Sequence, residues 1–322
     1  KPYVLKKYAE AYGVKSQNWH FLTDKKATAY ELANTGFSIF AGINPAVAGT
    51  KNYSPLTFTF RRQWVGMDEA PVTQNLLAHT FIGKSVGAGV HLFNDASGPT
   101  RRTGLSTAFS YQVKTGASSK LSFGLSASLT QYVLDRDRLI TEIPGDVAVM
   151  NNTNNQLIPD FNFGLYWYGE RHYLGVTAFH LMESKSDLFD LTTPVTNTLD
   201  RAFYGNAGYI FSIGSNFAIE PSVLFRYMLN APFQLDGNMR FVIKDTYWLA
   251  CSYRMDDAIA IMIGADFGPF EMGYSYDLGM SDMKAYNDGT HEVYLGIKMN
   301  KNAKKTPWHK RNRIYSSFST GS

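Results

Sequence analysis

Charged residues, most of them in the last third of the chain, fall on positions that share a strand phase with small polar residues. Arg61, Glu220, Arg226, Asp236, Arg240, Arg254, Asp266, Glu271, Asp277, Glu292 and Lys298 form this set. Such groups can pair with one another in an enclosed interior, line an aqueous passage, or serve as acid and base at a reaction centre. The mixture of signs favours a mutually paired polar lining. Catalytic and ligand motifs are otherwise missing. Gly83-Lys84-Ser85 imitates the end of a phosphate loop, but Ala78 stands where its first glycine belongs. Gly87-Ala88-Gly89 falls inside a strand pattern, with Leu92 in place of a third glycine, so these glycines are expected to make room for a neighbouring side chain. The histidines at 20, 79, 91, 172, 180, 291 and 309 show no metal-ligand spacing with each other or with Cys251, and no metal or cofactor is expected. A triad assembled only in space is not visible in a sequence.

The elements that must position these charges are strands. Phe270, Met272, Tyr274, Tyr276 and Leu278 alternate with Glu271, Gly273, Ser275, Asp277 and Gly279. One apolar, aromatic face and one face of glycine, serine and charge, over about ten residues, is the pattern of a transmembrane β-barrel. The pattern predicts 14 antiparallel strands: Pro55–Trp64, Gln74–Ile82, Ser85–Asn94, Gly104–Lys114, Lys120–Leu134, Asp160–Tyr168, His172–His180, Arg201–Ile213, Phe217–Leu229, Phe233–Lys244, Tyr247–Met255, Ala258–Phe267, Phe270–Gly279 and His291–Met299. Alternation is blurred in Gln74–Ile82 and Arg201–Ile213.

Connection lengths sort by parity. The even connections are short, such as Gly83-Lys84 and Gly268-Pro269. The odd ones include all the long loops: Val65–Thr73, Asp95–Thr103, Asp135–Pro159, Leu181–Asp200 and Met280–Thr290. Short periplasmic turns and longer external loops produce this asymmetry. The longest apolar run, Ala258–Ala265, is far short of the roughly 20 residues of a spanning helix. Tyrosine (20), phenylalanine (22) and glycine (27) are abundant enough for interfacial girdles and a tight lumen. A net charge of +4, dispersed along the chain, argues against nucleic acid as a partner. The single cysteine, Cys251, excludes an internal disulfide and falls in the lipid-facing phase. No basic, apolar leader opens the sequence, as expected of a mature exported chain.

Three regions follow: an N-terminal periplasmic or plug-like segment (1–50), the barrel (51–300) and a basic periplasmic tail (301–322). A short helix is expected at Val4–Tyr12, and a helical or irregular lead-in at Ala27–Ala41. Asn151, Asn152, Asn154 and Asn155 make one external loop polar and suited to ordering on a partner. Lys304, Lys305, Lys310, Arg311 and Arg313 make the tail a solvated charge run, or an arm for an acidic protein surface.

Several short elements resemble a known family. Ile43-Asn44-Pro45-Ala46-Val47-Ala48-Gly49 is similar to the opening element of the PorP/SprF family, outer-membrane proteins of the type IX secretion and gliding machinery of Bacteroidota. Arg62-Gln63-Trp64-Val65-Gly66, Ala70-Pro71-Val72-Thr73-Gln74, Pro159-Asp160-Phe161-Asn162-Phe163-Gly164, Ala231-Pro232-Phe233-Gln234-Leu235-Asp236 and Gly289-Thr290-His291-Glu292 follow in family order. The resemblance spans about Thr35 to Met299 and leaves both ends particular to this chain. It implies a non-enzymatic component of a Gram-negative outer membrane, in contact with lipid and lipopolysaccharide. Its expected partners are the secretion translocon, periplasmic ring or peptidoglycan-linked lipoproteins, and a secreted cargo such as a large adhesin. The alternative from the residues alone is a transport protein, either a porin or a hydrophobic-ligand channel. An outer-membrane hydrolase is the third reading.

Overall fold

The computed structural model describes residues 40–135, 138, 155–184, 199–228, 231–280, 285–299 and 311–312. After a one-turn helix, α1 (Phe40–Ile43), and a 3-10 turn (Pro45–Val47) come the strands. They are β1 (Ser54–Arg62), β2 (Val72–Phe81), β3 (Val86–Ser97), β4 (Thr100–Lys114), β5 (Ser119–Leu134), β6 (Asn155–Gly169), β7 (His172–Phe179), β8 (Ala202–Tyr209), β9 (Phe211–Ile213), β10 (Phe217–Met228), β11 (Ala231–Ile243), β12 (Tyr247–Arg254), β13 (Ala258–Phe267), β14 (Phe270–Gly279) and β15 (Thr290–Met299). Each pairs antiparallel with its neighbours, and β1 joins β15 to close the sheet. β8 and β9 both pair with β10 and form one stave, interrupted at the buried Ile210. The result is a closed barrel of 14 staves, as the alternation predicts.

The barrel is built inside out. Along β12, Tyr247, Leu249, Cys251 and Tyr253 are exposed while Trp248, Ala250, Ser252 and Arg254 are buried. On β4, Phe109 is 56% exposed and its neighbour Ser110 is 0% exposed. An outer wall of phenylalanine, leucine, isoleucine and tyrosine cannot face water without a large penalty, roughly 25 cal/mol per Å² of apolar surface. It faces lipid. Closure satisfies the backbone donors and acceptors that lipid would leave unpaired.

Three boundaries differ from the expected ones. β3 and β4 continue in register as far as Ser97 opposite Thr100, turning at Gly98-Pro99 with Gly98 at φ 56°. The expected long connection Asp95–Thr103 is therefore a two-residue turn. Asn94, Asp95 and Thr103 are polar, yet Thr103 donates to Asn94 and Asp95 meets Arg102, so the ladder extends beyond the apolar pattern. β6 likewise begins at Asn155, paired opposite Val133, so Asn155 belongs to a strand rather than to the loop. The expected helix at Val4–Tyr12, nearly all of the lead-in, and the tail outside Arg311-Asn312 lie outside the described residues.

Candidate functional site

Before the first strand, the chain runs through the barrel. Asn44 opens the 3-10 turn: its Oδ1 accepts from the Ala46 amide at 2.9 Å, and Pro45 occupies the next position. Its Nδ2 donates outward to the carbonyl oxygens of Leu165 (2.9 Å) and Val176 (3.4 Å) on the wall. The Ala48 carbonyl accepts from Ser110 Oγ at 2.7 Å and Gln112 Nε2 at 3.3 Å. The Gly49 amide donates to His79 Nδ1 at 3.1 Å. Main-chain groups of the segment are thus satisfied by the wall, as backbone held away from water requires.

The wall is shaped to receive them. β-carbons on Gly87, Gly124 and Gly164 would collide with Ala48 O, Ala46 N and Asn44 Oδ1. Gly124 and Gly164 are cross-strand partners, so two strands are thinned at one level. Gly87 makes room for the Ala48 backbone as well as for the Ser110 side chain, and Gly89 lies against the His79 side chain, so the space expected for neighbouring side chains is shared with the internal segment. Gly49 itself sits at φ 69°, where an L side chain is strained. Small residues in the opening motif follow from this fit: Ala46 is 0% exposed between wall and tyrosines.

Direction matters. Ile43 packs with Phe179, Ala202, Tyr204, Leu224 and Met228. Phe179 and Met228 end β7 and β10, and Ala202 begins β8, so this cluster lies at the end of the barrel that bears the long connections. Ala46 and Val47 pack on Tyr166, Tyr168 and Tyr173, nearer the short turns. The segment then reaches Lys51 and Tyr53 at the short-turn end.

The predicted charged residues assemble into two clusters with a link between them. At the long-connection end Arg61 donates to Asp277 at 2.7 Å and to Glu292 at 3.0 Å. Arg254 lies 3.6 Å from Asp236, 3.1 Å from Asp257 and 3.8 Å from Asp277. Arg226 donates to Gln234, which donates to Asp236. Glu220 pairs with Arg240 at 3.7 Å and accepts from the Tyr173 hydroxyl. At the short-turn end Asp266 and Glu271 share Lys298. All eleven predicted inward positions are buried or half-buried.

Arg311 belongs to that last cluster. It donates to Asp266 at 2.5 Å and Glu271 at 3.1 Å and is buried. This corrects its assignment as an exposed partner contact: two carboxylates in the barrel mouth draw its guanidinium in. Its carbonyl accepts from the Asn52 amide, and Asn312 bridges Lys51 and the Gly169 carbonyl. Burial pushes the Lys51 ammonium below its ordinary pKa. Asn155 is exposed at the start of β6. Asn151, Asn152, Asn154, Lys304, Lys305, Lys310 and Arg313 lie outside the described residues.

A cavity of about 100 Å³ lies between the internal segment and the long-connection end, lined by Asn75, His91, Arg102, Tyr132, Asn162 and His180 among others. Its basic side chains are engaged: Arg102 pairs with Asp95 at 3.2 Å, and His180 Nδ1 lies 2.5 Å from Asp160 Oδ2. Among the described residues no group of His, Cys, Asp and Glu is placed to hold a metal ion. Sequence reasoning missed the seating of Asn44–Gly49, Asp95–Arg102 and the Arg311 dock. Inward-phase glycines at 87, 124, 164 and 175 were the available signal for the first.

Fold and site together define an outer-membrane β-barrel whose lumen is crossed by its own chain. The chain belongs to a particular family of that class: the model of the type IX secretion system membrane protein PorP/SprF matches residues 38–297. No curated protein matches it. Similar solved structures include a mutant porin of Rh. blastica (11% identity, 76% of this chain and 98% of that one, TM-score 0.34). The KdgM porin is another (9%, 76% and 99%, TM-score 0.36). Overlaps that low carry no argument. Family membership makes the protein a type IX secretion-related component of the outer membrane, not a member of a known enzyme class.

Proposed function

We propose that the protein works by binding other proteins, not by passing solutes. The observation that carries this is the bonding of Asn44–Gly49 to the wall at Leu165, Val176, Ser110, Gln112 and His79. A segment held by the Asn44 side chain and by its own backbone, over fully buried Tyr168, is costly to displace and obstructs flow. In this reading the external connections 135–154 and 180–201 meet the secreted cargo, a large adhesin being the family's example. The short turns and the basic tail meet the translocon and the periplasmic ring or peptidoglycan-linked lipoproteins in a Bacteroidota cell. The paired charges at Arg61, Glu220, Arg226, Asp236, Arg240, Arg254, Asp266, Glu271, Asp277 and Glu292 serve as a rigid inner frame rather than an ion path. Deleting the gene should remove type IX cargo from the cell surface, and gentle detergent extraction should co-purify machinery or cargo. Unchanged surface cargo in the deletion strain would defeat the reading.

A further inference from the structure

Toward the long-connection end, the outward residues Tyr227 on β10, Phe233 on β11, Tyr253 on β12 and Leu278 on β14 are apolar or aromatic, and all are exposed. Strands β1 to β5 differ. Gln74, Asn94, Thr103 and Gln131 are cross-strand partners in one outward row. Thr103 Oγ1 donates to Asn94 Oδ1 at 3.1 Å on the surface, which leaves the Asn94 amide nitrogen as a further donor. The next outward row toward the short turns is Leu76, Leu92, Leu105 and Leu129, again partners and all exposed. One pleat farther on, Ala78, Val90, Thr107 and Ala127 make a furrow of smaller side chains. The wall thus passes from hydrocarbon to amide and hydroxyl within two residues on four adjacent strands.

The row beyond the amides carries positive charge. Arg62 on β1 and Arg101 on β4 are exposed, with Val72 and Ala96 between them in register. Three interstrand spacings of about 4.8 Å put the two backbones about 14 Å apart. Among the described residues no ion pair engages either guanidinium. Neither row contains an acid, and Glu69 in the β1–β2 connection is already paired with Arg138 at 2.7 Å. Strands of a barrel tilt by about 35–45°, so both rows run obliquely through the headgroup zone. Outward arginines there meet anions, and planar guanidinium forks match phosphate.

We propose that the outer face of β1 to β5 binds one lipopolysaccharide molecule through its phosphorylated disaccharide. Arg62 and Arg101 take the phosphates at the two ends of the sugar pair. Gln74, Asn94, Thr103 and Gln131 take its hydroxyl and amide groups, and the acyl chains lie on the leucine row and in the furrow beside it. A phospholipid offers one phosphate and does not reach both arginines. The proposal shares with the protein-binding reading the assumption that the long connections are external, which puts this sector in the outer leaflet.

The test titrates the purified full chain in mild detergent by native mass spectrometry. The probes are bisphosphorylated lipid A, lipid A stripped of its phosphates, and phosphatidylglycerol. Bisphosphorylated lipid A should bind as one molecule per chain, about tenfold tighter than either comparator. Arg62→Gln with Arg101→Gln should abolish that preference. Lys84→Gln with Lys114→Gln, which removes two exposed cations near the short turns, should leave it intact. Asn94→Leu keeps the charge and should still weaken lipid A binding, so the proposal can be tested even if the double arginine variant fails to fold. Equal binding of phosphatidylglycerol, or undiminished preference in the folded arginine variant, overturns the proposal. A dimer of the chain that dissociates on Arg62→Gln with Arg101→Gln would assign the sector to a second copy and overturn it as well. Binding in detergent does not depend on which end faces out, so failure here leaves the orientation and the protein-binding reading standing.

Discussion

Asn44 and Gly164 are pressed together across the lumen, so that a β-carbon on Gly164 would occupy the space of the Asn44 side-chain oxygen. One residue begins the internal segment and the other lies deep in β6. Their fit decides whether the segment can sit. Gly164→Val should cost about 1–3 kcal/mol by overpacking, read as a lowered unfolding midpoint in detergent. Gly205→Ala is the control, because its β-carbon would meet only Phe225, at 3.9 Å. Equal effects of the two substitutions would contradict the seating.

The seated segment also predicts the electrical behaviour. Purified protein in planar bilayers should show no steady conductance. Removing residues 1–50 should open a stable ion current, because it takes away the backbone that spans the section between β3 and β6. A steady current from the intact protein would favour the transport reading.

Arg61 holds two buried carboxylates. Arg61→Met should destabilise by about 3–5 kcal/mol, since breaking a buried pair leaves charge uncompensated. Adding Asp277→Asn and Glu292→Gln should recover much of the loss in chemical denaturation. Failure to recover would mean that the cluster is held by packing rather than by charge.

The mouth of the barrel is tied by the tail. Arg311→Ala should speed hydrogen exchange at the Asn52 amide, which donates to the Arg311 carbonyl at 2.9 Å. The amides of β4 should be unaffected. Loss of the Asp266 and Glu271 contacts supplies the effect, so truncation before residue 301 should act in the same direction.

Lys51 gives the protein a pH dependence of definite sign. Its pKa is lowered in the fold by burial, from an ordinary 10.5. Between the two values the unfolded chain binds more protons, so stability rises with pH through that window. Below the lowered pKa the full penalty of burying the ammonium is present. Lys51→Met should flatten the rise in an unfolding series taken toward pH 10.5. A slope that is unchanged would show that another group titrates.

What the sequence by itself determined is the wall. Phe270 and Glu271 differ in solvent because side chains alternate across a strand, a rule that needs no distant partner. Fourteen staves, their outward faces and the inward charges were therefore legible. Even there, polar ends such as Asn94–Ser97 hid ladder pairs that do not need apolar residues. The tertiary structure alone decided what stands inside the wall. Asn44 meets Leu165 across 121 positions of sequence, and Arg311 meets Asp266 across 45. No periodicity encodes such contacts: they arise when closure brings inward glycines to one level and two carboxylates to one mouth. The path from Phe40 down to Ser54 has the same origin, because a lumen and its two ends exist only once β1 has joined β15.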